Sequence, residues 1–247
     1  MLKWITRGSW VALMCTGLVA CSDVSINNPT SAQIESASLA ALQGEQSSAL
    51  KNLQRWADSN LPVAQRELGL VYAAAPATQA QAVQWLFRAA EAGDRAAQNQ
   101  LGQAYYDGKW GLAADPAKAW PLFAAAAHQG EGRASFMLAR MAKYGQGVPV
   151  DLPLSVQWLK EASRQGNVQA MFLLSNAYAS GDGVVRDPAL SQQWLERSAA
   201  GDFPVAIQAM AMALEGQGRA NPAAVAEARH LLKEATDERK MAWNRYQ

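Results

Sequence analysis

The sequence predicts an all-α protein built as a solenoid of stacked helix pairs, and three observations predict it. Half of the 247 residues are hydrophobic, alanine is abundant, and Val, Ile and Thr are sparse. No stretch alternates apolar and polar residues as a half-buried strand would. Glycines at 93, 130, 166 and 201 fall 37, 36 and 35 residues apart, and Gly108, Gly145, Gly181 and Gly216 repeat those spacings. Asp115, Asp151 and Asp187 are 36 apart. A period in this range marks an array in which each unit buries its apolar face against the next.

The chain opens with a basic start, Lys3 and Arg7, and an apolar run from Trp10 to Ala20. Eleven residues are too few to span a hydrocarbon core of about 30 Å as a helix, so residues 1–20 read as a signal peptide. The run ends Leu18-Val19-Ala20-Cys21, which resembles the lipobox of bacterial lipoproteins. The resemblance implies cleavage before Cys21 and acylation of that residue, giving a stable membrane anchor. Ser22 in place of Asp points by the same resemblance to the outer membrane, with the protein facing the periplasm. Residues 21–30 are polar and contain Pro29, as a tether would.

Ser31 is the expected cap of a helix through Leu42, broken at Gly44. Residues 47–59 form a second helix with Leu50, Leu53, Trp56 and Ala57 on one side. Asn60 stands where later units carry glycine, as the next best residue for a left-handed helix end. Residues 31–62 thus read as a degenerate N-terminal capping pair.

The repeats proper occupy residues 63–235. Gly93 and its equivalents are expected to take positive φ and close the second helix of each unit. The three aspartates are expected to cap the following helix, with Pro116 and Pro188 at its first position. Ala64, Gly69, Ala97, Gly102, Ala134, Ala139 and Ala170 are small enough for helices to approach closely. Residues 236–247 are charged but keep Met241, Trp243 and Tyr246, consistent with a C-terminal capping extension.

The unit carries Ala170, Leu174, Tyr178, Gly181, Gly183, Val184, Asp187, Trp194 and Gly201 in its fullest form. Ala134, Leu138, Gly145, Gly147, Val148, Asp151, Trp158, Ala162 and Gly166 repeat the set, and Ala97, Leu101, Gly102, Tyr105, Gly108 and Asp115 repeat part of it. This pattern resembles the Sel1-like repeat, a relative of the tetratricopeptide repeat. The resemblance implies a right-handed α-α superhelix and a scaffold role in envelope assembly, export or secretion. The first full unit departs from it by lacking the glycine loop, and the last lacks both tyrosine and tryptophan.

Composition narrows the chemistry. Cys15 and Cys21 are the two cysteines and His128 and His230 the two histidines, which excludes a disulfide framework, a Cys-based metal site and a multi-histidine site in the body. No cofactor or metal is expected. Of 22 basic residues, loss of Lys3 and Arg7 leaves 20 against 21 acidic ones, so no nucleic-acid partner is expected. The glycine loops follow helices rather than strands, unlike phosphate cradles. Trp85, Trp158 and Trp194 recur once per unit, as packing residues do. Trp110 lies in a loop, where surface contact and burial are equally compatible. Asp107 and Asp115 flank that loop, but their surroundings are turn residues and no catalytic residue is assigned.

The remaining candidate is a surface. In solenoids of this kind the first helix of each unit lines the concave side. The stripe not used by the packing residues gives Arg66, Asn99, Gln103, Tyr106, Phe136, Arg140, Lys143, Phe172 and Asn176 as candidate contacts for a protein or peptide partner. The expected function is therefore a lipid-anchored, non-enzymatic scaffold. An envelope enzyme, or an inhibitor or immunity protein acting on cell-wall peptide or sugar, is the alternative.

Overall fold

The computed structural model describes residues 28–43 and 47–217, together with Ala226, His230 and Lys233. The signal peptide, Cys21, most of the tether, the break at Gly44 and the 236–247 extension lie outside the described residues. Eleven α-helices run in order among the described residues: α1 (Ser31–Leu42), α2 (Ser47–Asp58), α3 (Pro62–Ala73), α4 (Gln79–Glu91), α5 (Arg95–Asp107), α6 (Pro116–His128), α7 (Gly132–Tyr144), α8 (Leu152–Arg164), α9 (Val168–Ser180), α10 (Pro188–Ala200) and α11 (Pro204–Gln217). No strand occurs among the described residues. Each helix packs on its successor and α1 also reaches α3, giving the α-α superhelix that the period predicts. No helix among the described residues is long and apolar enough to cross a membrane.

The caps form as the residue types dictate. The Asp115, Asp151 and Asp187 carboxylates accept from the backbone N–H groups of Lys118, Leu154 and Leu190. Asp94 and Asn167 cap α5 and α9 in the same way. Asn60 takes φ 59°, and Gly93, Gly130 and Gly166 take φ between 83° and 87°. Three expectations need correction. Gly201 has φ −91° and the left-handed residue is Asp202, at φ 60°. Position 201 requires glycine for a different reason: a Cβ there would collide with the Val168 side chain. Gly216 lies inside α11 rather than in a loop. The cap of α1 is Thr30, which forms a capping box with Gln33, because a side chain one residue earlier reaches the third helical N–H.

Among the described residues the core is a series of four clusters rather than one mass. Ile34, Leu53, Trp56 and Leu68 hold α1–α3; Leu86, Ala97 and Leu101 join α4 to α5; Phe123, Leu138 and Met141 join α6 to α7; and Val156, Leu159 and Leu174 join α8 to α9. Tyr105 packs against both the second and third clusters, and Trp158 against both the third and fourth. Trp85, Trp158 and Trp194 are partly buried against these clusters, as expected for packing residues.

The loops interlock adjacent pairs. A Cβ on Gly147 would lie 2.5 Å from the Pro116 carbonyl carbon and 2.6 Å from the Ala117 nitrogen. The loop after α7 therefore sits directly on the first turn of α6. Gly183 repeats the arrangement on Leu152 and on Pro153, whose nitrogen would be 2.8 Å away. The equivalent position in the preceding unit is Trp110, also left-handed at φ 56°. Its indole packs with Leu70 and Val83 against the α4–α5 cluster. At the junction where the glycine loop is missing from the preceding unit, a side chain takes the place that close backbone approach fills elsewhere.

Asp115 supplies a titration that can be measured. Its carboxylate accepts the Lys118 backbone N–H and pairs with the Lys118 ammonium, which holds its pKa below the usual carboxylate range. A lowered folded-state pKa contributes stability that is present above the unfolded value and is lost as pH falls through the folded one. Asp115→Asn keeps a capping oxygen but cannot titrate. Thermal unfolding of this variant is expected to lose less stability than the parent as pH falls below about 4.

Candidate functional site

The first helices of successive units present one groove, enclosing ≈ 410 Å³. Asn99, Gln100 and Gln103 contribute from α5, and Arg133, Phe136, Met137 and Arg140 from α7; Asn167 and Gln169 come from the start of α9. Four of the nine sequence candidates meet here: Asn99, Gln103, Phe136 and Arg140. The other five do not line the groove. Tyr106 donates its hydroxyl to Gln146 Oε1 at 2.6 Å, and Lys143 lies over the Tyr144 ring at 5.7 Å. Phe172 packs against Phe203, and Asn176 is exposed one turn before Ser180, which bonds its carbonyl.

Arg66 is engaged internally. Its guanidinium meets Asp94 at 3.1 Å, Glu67 at 2.9 Å and Glu35 at 3.5 Å. Burial alone would lower its pKa; the Asp94 and Glu67 carboxylates outweigh this and raise it above the ordinary value. Since Asp94 also caps α5, this cluster ties α1, α3 and α5 together. Sequence spacing placed Arg66 on the right face but could not show which carboxylates meet it there.

Five groove residues escaped the sequence reading: Gln100, Arg133, Met137, Asn167 and Gln169. Arg133 was within reach of it, standing one turn before Phe136 and two before Arg140 on the same helical stripe. Gln169 and Asn167 come from a neighbouring unit, so no spacing within one helix points to them.

A second cleft, ≈ 390 Å³, lies among the second helices α6 and α8 and is lined by His128, Leu154, Gln157, Trp158, Glu161 and Gln165, among others. His128 meets Trp158 edge-on at 5.9 Å. Glu161 is held by Arg164 and by Gln165, and Gln165 also bonds the Ser135 hydroxyl and the Ala127 carbonyl. The Trp158 indole N–H is buried without a hydrogen-bond partner among the described residues. Glu161 and Gln165 in this cleft bond one another, whereas the side chains of Arg133, Asn99 and Gln169 in the first groove have no hydrogen bond or ion pair among the described residues.

Neither Asp107 nor Asp115 is suited to donate a proton near neutrality. Burial pushes the Asp107 carboxyl up, but hydrogen bonds from Lys109 and Gln103 bring it below the usual range, and Asp115 is lowered as well. An acid catalyst working near pH 7 needs the opposite shift. Among the described residues no three metal-ligating side chains gather.

Comparison with known proteins follows the same boundaries. The Sel1 repeat family model matches residues 62–94, 95–131, 132–167 and 168–203, which are the pairs α3–α4, α5–α6, α7–α8 and α9–α10. A Sel1 repeat protein from Oxalobacter formigenes superposes with a TM-score of 0.71 at 25% identity, covering 85% of this chain and 88% of that one. The c5321 protective antigen of uropathogenic Escherichia coli strains, which displays an SLR fold, gives a TM-score of 0.71 and 25% identity. The match covers 84% of this chain and 45% of the antigen, so the chain spans less than half of the antigen's length. No curated protein matches the sequence.

Proposed function

The chain belongs to the Sel1 repeat family, and from that premise we propose that it is a lipid-anchored scaffold of the bacterial cell envelope. It binds a protein or peptide partner through the groove that α5, α7 and α9 form. The observation that carries this reading is the convergence of side chains from three successive units into one polar groove with an aromatic floor. Its exposed groups are guanidinium groups and amides, which bind rather than react near neutral pH. The anchor rests on the Leu18-Val19-Ala20-Cys21 sequence, and an outer-membrane site facing the periplasm rests on Ser22. Export or assembly complexes are the settings that suit an anchored protein of this kind.

Two measurements test the two halves. The parent chain is expected in the detergent phase of a phase partition and Cys21→Ala in the aqueous phase; parent protein in the aqueous phase removes the anchor. For the groove, p-benzoylphenylalanine replaces Phe136 in living cells, and a second strain carries it at Val185, an 85% exposed loop residue off the groove. Irradiation is expected to give a discrete adduct from position 136 and none from 185. No adduct at 136, or the same adducts at both, overturns the scaffold reading.

A further inference from the structure

Three features of the groove bear on the chemistry of its partner. The first is charge. Helices α5, α7 and α9 carry Arg95, Arg133, Arg140 and Lys143 against a single acidic residue, Asp107, on a chain that is otherwise nearly neutral. Asp107 is paired with Lys109 at 2.7 Å. Arg133 makes no ion pair among the described residues, even with Glu131 two positions earlier. Arg140 points a nitrogen at the Met137 sulfur, 3.9 Å away, and feels Asp107 from beyond ion-pair distance.

The second feature is the set of side-chain amides. Asn99, Gln100 and Gln169 line the groove, and Gln100 Oε1 is buried with no hydrogen-bond partner among the described residues. An amide offers both donors and an acceptor, which suits a peptide backbone that makes no hydrogen bonds to itself. The third is the floor: Phe136, half-buried, beside Met137, an adaptable apolar side chain. Aromatic-lined grooves of this sort accept proline rings in the polyproline II conformation.

Spacing joins the three. Arg133 and Arg140 are seven residues apart on α7, which places them on one face about 10.5 Å apart along the axis. A polyproline II strand has three residues per turn and rises about 3.1 Å per residue, so every third side chain shares a face at intervals of about 9.3 Å. We infer that, granted the scaffold reading above, the groove takes an extended, proline-containing acidic segment of a partner protein. Carboxylates three residues apart pair with Arg133 and Arg140, the amides bond its backbone, and its prolines lie on Phe136.

The test uses the full chain in non-ionic detergent and fluorescently labelled peptides with neutral ends. The probes are four Glu-Pro-Pro triplets, four Lys-Pro-Pro triplets, and a peptide of the first composition with its four glutamates adjacent. The Glu-Pro-Pro peptide is expected to bind saturably, more weakly as salt rises, and more tightly than either other peptide. Arg133→Gln and Arg140→Gln should each weaken it about tenfold. Arg164→Gln, on the exposed part of α8, should leave it unchanged, and circular dichroism checks that each variant keeps its helices. Indifference to peptide charge or glutamate spacing, or unchanged binding by both groove variants, overturns the inference. So does saturable binding to vesicles containing phosphatidylglycerol that both groove variants abolish, since the groove would then serve a membrane. Failure of the peptides with the position-136 adduct intact sinks the acidic partner alone; failure of both sinks the scaffold reading too.

Discussion

Gly147→Ala is expected to destabilise the protein by about 3 kcal/mol or more, while Gly111→Ala costs only about 1 kcal/mol. Both residues are left-handed, at φ 75° and 78°, so both variants carry the strain of an L-residue in that region, about 1–2 kcal/mol. They differ in what surrounds them. Nothing lies within 4 Å of the Cβ position on Gly111. At Gly147 the new methyl group meets the backbone of Pro116 and Ala117 at 2.5–2.7 Å, and backbone at the start of a capped helix cannot step aside as a flexible side chain would. Overpacking of this kind adds about 1–3 kcal/mol. Urea unfolding of the two variants measures the difference directly. Equal costs would mean that the loop does not lock the α7–α8 pair to the α5–α6 pair, and that glycine is needed there for its dihedral angle alone.

The same comparison shows how far the sequence carried the fold. The period, the aspartate caps and the substitution of Asn60 for glycine were all legible, because each depends on one residue and its near neighbours along the chain. The register error at the end of the last matched pair had a physical source. Gly201 and Asp202 adjoin, and glycine is the usual left-handed residue, so spacing alone assigns the left-handed angle to 201. The structure gives the left-handed angle to Asp202 and keeps Gly201 for contact with Val168. A glycine can be required by dihedral angle or by close approach, and spacing does not distinguish the two.

The groove was half legible for a similar reason. Phe136 and Arg140 follow from helical periodicity on α7, and Arg133 extends that stripe by one turn. Asn167 and Gln169 enter from the next unit, and their place depends on how far each pair rotates on its neighbour. Arg66 is held by partners 28 and 31 residues away, which spacing along one helix does not reveal. Buried glutamines were overlooked altogether: Gln65 and Gln98 each donate to a carbonyl near the end of the preceding helix, Ala57 and Ala90. They satisfy groups that a helix end leaves open. Their recurrence 33 residues apart was visible, but its role needed the neighbouring helix end.

Phe123→Ala should cost about 3–5 kcal/mol, the range for truncating a fully buried phenylalanine, and should show whether the molecule unfolds in parts. Phe123 is 0% exposed and sits in the α6–α7 cluster beside Leu138 and Met141. Tyr105 and Trp158 join the second, third and fourth clusters, so damage to the third weakens its neighbours only across those two junctions. In an array held together by nearest-neighbour contacts, stability is a sum of local terms. Hydrogen exchange of the variant is therefore expected to lose protection over α5–α7 while amides of α3 and α9 keep most of theirs; a uniform loss would show a single cooperative unit instead. Gly102 gives an internal check, because a Cβ there would stand 3.0 Å from the Phe123 ring. Gly102→Ala should destabilise the parent by overpacking yet be neutral or stabilising in the Phe123→Ala background, where the methyl group enters the space that the ring vacated. That reversal of sign is expected only if the two helices are held at contact distance by this pair, which is the close approach that the alanine and glycine positions of every unit make possible.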